Sequence, residues 1–108
     1  MPADKLKRER ADALSQAADL ADQMFMQGIC TADEALRCHE MLLDAQLECA
    51  SSPTERSDVL TKALDYAKSQ EDFYNQKAIA GFVSKLATLQ AKAYRLKIEI
   101  MLATETGK

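Results

Sequence analysis

An all-α fold follows from three features of this sequence. Its composition is rich in alanine and leucine, with only three glycines and two prolines. Four stretches carry apolar residues at helical spacing, and three short breaks separate them. Ala and Leu lose little on entering a helix, whereas Gly and Pro lose most. No stretch alternates with period two over a useful length, which removes strands from the reading. The expected architecture is an antiparallel up-down-up-down four-helix bundle made of two tandem helical hairpins, 4–50 and 53–104, within one domain spanning 1–108.

The first segment, 4–27, is alanine-rich, with Leu14, Ala17, Ala18, Ala21 and Phe25 beside Leu20 and Met24. The second, 31–50, carries two neighbouring stripes: Leu36, Leu43, Leu47 and Ala50, then Ala35, Cys38, Leu42, Ala45 and Cys49. The third, 53–80, offers Val59, Leu60, Ala63, Leu64, Ala67, Tyr74 and Ala78. In the fourth, 84–104, Leu89, Ala93, Leu96, Ile100 and Ala103 alternate steps of four and three and are the expected seam. Connections this short make consecutive helices antiparallel.

The breaks have their own chemistry. Gly28 can adopt the left-handed conformation that ends a helix, and Thr31 with Glu34 three places on reads as a capping box for the next. Asp33 and Glu34 also place negative charge in that first turn, where the helix dipole favours it. At the second break Ser52 fits the N-cap, Pro53 the first helical position, and Glu55 completes another capping box. The third has Gly81 as the stop and Ser84 as the cap, but Ala87 stands where a capping glutamate would be.

Composition excludes several function classes. The formal charge is −3 and the pI near 5.1, so the chain lacks the electrostatic footprint of a nucleic-acid binder. No apolar run approaches the roughly 20 residues needed to span a bilayer. Residues 1–10 are charged and lead into an amphipathic stretch, unlike a signal peptide. If Met1 is the native start, the expected location is the cytoplasm, in keeping with an odd number of cysteines at no framework spacing.

A shift of 53 residues superimposes the two glycine breaks: Gly28 on Gly81, Thr31 on Ser84, Leu36 on Leu89, Leu43 on Leu96 and Ala50 on Ala103. The unit Gly28-Ile29-Cys30-Thr31-Ala32-Asp33-Glu34-Ala35-Leu36, followed by Leu43-Asp44-Ala45, resembles the hairpin-tip segment of the TolC-like outer-membrane efflux proteins. The stretch Leu42 to Leu102 resembles small stand-alone hairpin proteins of the same pattern. In the TolC-like family a glycine turn joins two long coiled-coil helices, with a hydroxyl residue three places on and an acidic residue six places on, here Thr31 and Glu34. The resemblance implies a coiled-coil fold and a docking tip that meets a partner's hairpin. By that resemblance the expected docking tip is Gly28, Ile29, Thr31 and Glu34, with Gly81, Phe82 and Ser84 in the second unit, where Ala87 stands at the acidic place. The family's conduit is not implied, because its barrel strands have no counterpart here.

Candidate chemistry is thin. Cys38 and Cys49 share a helix face but stand about 16 Å apart along the axis, too far for one zinc ion. His39 points about 100° away from Cys38. Structural thiols are therefore the preferred reading, since a free cysteine behaves as a small hydrophobe. Cys30, just ahead of a helix N-terminus, has some thiolate character offset by Asp33 and Glu34. A di-iron bundle fails for want of a second histidine, and no P-loop, dinucleotide fingerprint or nucleophile elbow occurs. Glu71-Asp72 reads as a solvated face rather than a catalytic acid pair. No catalytic, metal or cofactor site is expected.

Charge is unevenly shared. Segment 31–50 carries Asp33, Glu34, Glu40, Asp44 and Glu48 against Arg37, whereas segment 84–104 carries Lys85, Lys92, Arg95 and Lys97 against Glu99. Opposite-sign faces steer helix pairing or attract a partner, and internal complementarity is the preferred of the two. The leading function is a non-enzymatic interaction module that binds a protein partner or itself through an apolar seam or a hairpin tip. The alternatives are a small secretion or envelope chaperone and a cysteine-based metal- or redox-responsive bundle.

Overall fold

The computed structural model describes residues 2–81 and 83–105. They form four helices and, among these residues, no strand: α1 (Pro2–Met26), α2 (Ala32–Cys49), α3 (Pro53–Ile79) and α4 (Lys85–Glu105). Each boundary falls within two residues of its expected place. The chain divides into two compact units, Met1–Ser52 and Pro53–Lys108, each a hairpin of two helices. In unit one α1 packs on α2, and in unit two α3 packs on α4.

Both hairpins turn on a glycine. Gly28 has φ 74° and Gly81 φ 85°, and no other described residue has positive φ. At the first turn the Ile29 amide donates to the Met24 carbonyl at 2.8 Å and the Gly28 amide to the Phe25 carbonyl at 3.0 Å. That pair of bonds is a Schellman motif, which satisfies carbonyls the helix end leaves open. Gly81 repeats the second bond, donating to Ala78 at 3.0 Å.

The helix starts are also the expected ones. The Thr31 hydroxyl accepts from the Glu34 amide at 3.1 Å, and the Glu34 carboxylate accepts from the Thr31 amide at 3.0 Å, closing the capping box. α3 begins at Pro53. Ser84 caps α4, accepting from the Ala87 amide at 3.1 Å.

In unit one the seam joins Ala18 and Ala21 of α1 to Leu36, His39, Leu43 and Leu47 of α2, with Ala35 and Ala45 also buried. Small residues on α1 allow larger ones on α2 to approach closely. In unit two the seam is Leu60, Ala67, Gln70 and Tyr74 from α3 against Ala87, Thr88, Ala91, Tyr94 and Ile98 from α4. Here large and small residues occur on both helices, and Tyr74, Leu60 and Ile98 are fully enclosed.

The seam of α4 differs from the expected one. Leu89, Ala93, Leu96, Ile100 and Ala103 all lie on the exposed side, and the buried line is Ala87, Ala91, Tyr94 and Ile98. Both lines have helical spacing. The inner line packs on α3, and from its edge Arg95 reaches Glu71.

Gly28→Ala should destabilise unit one by about 1 kcal/mol, because an L side chain resists positive φ. No atom lies within 4 Å of a Cβ built there, so steric crowding adds nothing. Gly28→Asn should cost less, and paired thermal melts measure the difference. Gln70 supplies a second test: its Nε2 donates to the Tyr74 hydroxyl at 3.3 Å, while its buried Oε1 has no hydrogen-bond partner among the described residues. A buried acceptor left in that state costs roughly 1–3 kcal/mol. Gln70→Met should therefore raise the melting temperature, whereas a lower one would mean the amide holds the seam in place.

Candidate functional site

The first tip is ordered by its own sequence. The Thr31–Glu34 box fixes the start of α2, and the Thr31 hydroxyl lies 3.1 Å from the same Glu34 oxygen. Hydrogen bonds from the Thr31 amide and hydroxyl hold the Glu34 carboxyl below its ordinary range. Arg37 pairs with Asp33 one turn on at 3.0 Å. Ile29, 62% exposed, and Met26 stand out from this frame into solvent. At the second tip Ile79 is 90% exposed, and Gly81 and Ser84 are exposed as well. Phe82 lies outside the described residues. Each expected docking position that is described thus sits at a tip: Gly28, Ile29, Thr31 and Glu34 on one, Gly81 and Ser84 on the other.

The larger apolar surface is on α4. Leu86, Leu89, Ala93, Leu96, Ile100 and Ala103 follow one another in steps of three and four, the 3.5-residue repeat of a coiled-coil seam. All six are exposed, Ile100 at 65%. They occupy the side of the helix opposite Ile98, whose side chain is fully buried against α3. Lys85, Lys92 and Lys97 flank the stripe. α1 has a shorter counterpart, with Leu6, Ala13 and Leu20 exposed at seven-residue intervals.

Ion pairs join the two helices of each unit. In unit one Arg10 reaches Glu48 at 3.8 Å, an exposed pair worth little. His39 Nε2 meets Asp22 Oδ2 at 2.9 Å with the imidazole almost buried. Nothing in the sequence marked that contact, since the partners are 17 residues apart on different helices. In unit two Arg95 donates to Glu71 and, at 2.7 Å, to Glu99, while Arg56 reaches Glu105 at 2.8 Å. Glu71 is therefore a structural partner of Arg95, and Asp72 beside it is exposed.

The cysteines are free and half-buried. Cys30 Sγ donates to the Ala21 carbonyl at 3.3 Å, tying the turn back to α1. Burial, then the charges of Glu34, Cys38 and Asp22, push its thiol above the ordinary value. The thiolate that nucleophilic or redox chemistry needs is thus disfavoured. Among the described residues no three His, Cys, Asp or Glu side chains gather as a metal set, and no helix is long and apolar enough to cross a membrane.

No family model matches this chain, and neither a curated protein nor a solved structure does.

The capping box has a pH signature. Because the folded state lowers the Glu34 pKa, its contribution is complete above the unfolded value and disappears as pH falls through the folded one. Thr31→Ala should cost about 1 kcal/mol at neutral pH and move the Glu34 titration, followed by NMR, only part of the way back to the ordinary carboxylate range, because the backbone amide at position 31 still donates to it. A full return in the variant would mean that the hydroxyl, not the amide, carries the shift.

Proposed function

We propose that this chain is a non-enzymatic helical interaction module that docks a partner helix, from another protein or from a second copy of itself. The outer stripe of α4 is the main docking surface and the hairpin tips are an accessory one. The observation that supports this is the exposed heptad repeat Leu86–Ala103, carried on a helix whose opposite side is already packed. Composition alone explains single exposed leucines. Six apolar residues in coiled-coil register along one line call for a partner surface.

Magnitude sets the kind of binding. Burying the four large side chains Leu86, Leu89, Leu96 and Ile100 contributes roughly 1.5 kcal/mol each, the low end for partly covered residues. Lost translational and rotational freedom opposes this by about 4 kcal/mol or more. The stripe alone therefore gives weak, reversible docking, and charges or a second contact must add to it. The exposed Ile29 and Ile79 at the tips are available for that second contact. Resemblance of Gly28–Glu34 to TolC-like hairpin tips supports the same reading.

Lysine cross-linking in cells, read by mass spectrometry, tests the proposal. Inter-protein links should concentrate at Lys85 and Lys92 beside the stripe and be lost in a Leu89→Glu/Leu96→Glu variant of unchanged helicity. Links spread evenly over all lysines, or unaffected by the double substitution, would refute it.

A further inference from the structure

We draw no further inference here: the strongest candidate, the exposed apolar stripe Leu86–Ala103 on the outer side of α4, is the surface already proposed for docking, and nothing in the structure shows what covers it.

Discussion

Reversing an α-helix within five residues demands one position at which the backbone turns left-handed, and here that demand falls on Gly28 and Gly81. Their positive φ angles let the terminal carbonyls of α1 and α3 find donors, so the helix ends close without exposing unpaired groups. The cap that follows each turn, Thr31 or Ser84, starts the return helix at a fixed phase. Phase then decides which side chains meet. Once α2 begins at Ala32, Leu36 and Leu43 must face α1, and once α4 begins at Lys85, Ala91 and Ile98 must face α3. Turn geometry thus sets the seams, and the seams determine which apolar residues are left outside.

Most of the fold was legible because its signals are local. Glycine, proline and hydroxyl caps act over three or four residues, and their spacing located every helix to within a turn. The inner face of α4 was not legible, for a physical reason. Ala87, Ala91, Tyr94 and Ile98 form one helical line, and Leu89, Leu96 and Ile100 with their neighbours form another, more hydrophobic one. Periodicity ranks the second higher. Packing on α3 buries the first, and Arg95 reaches Glu71 from that side. A choice between two stripes is a property of the partner helix, which no window along α4 contains.

The candidate site divides in the same way. The tip residues from Gly28 to Glu34 were found in sequence because turn and cap chemistry shows itself there. The outer stripe of α4 was also visible, but as a core element, and only its exposure turns it into a docking surface. The His39–Asp22 contact left no sequence signal, as it joins residues brought together solely by the hairpin. For the thiols, half-burial and the neighbouring carboxylates agree with the structural reading, and the raised Cys30 thiol follows from both.

Reporter groups are sorted between the units. Tyr66, Tyr74 and Tyr94 all belong to unit two and tryptophan is absent, whereas Cys30, Cys38 and Cys49 and the one histidine all belong to unit one. Phenol emission therefore follows only the second hairpin, and thiol labelling only the first. The unmodified chain carries two private spectroscopic channels, and the degree to which their denaturation curves coincide measures the cooperativity between its halves.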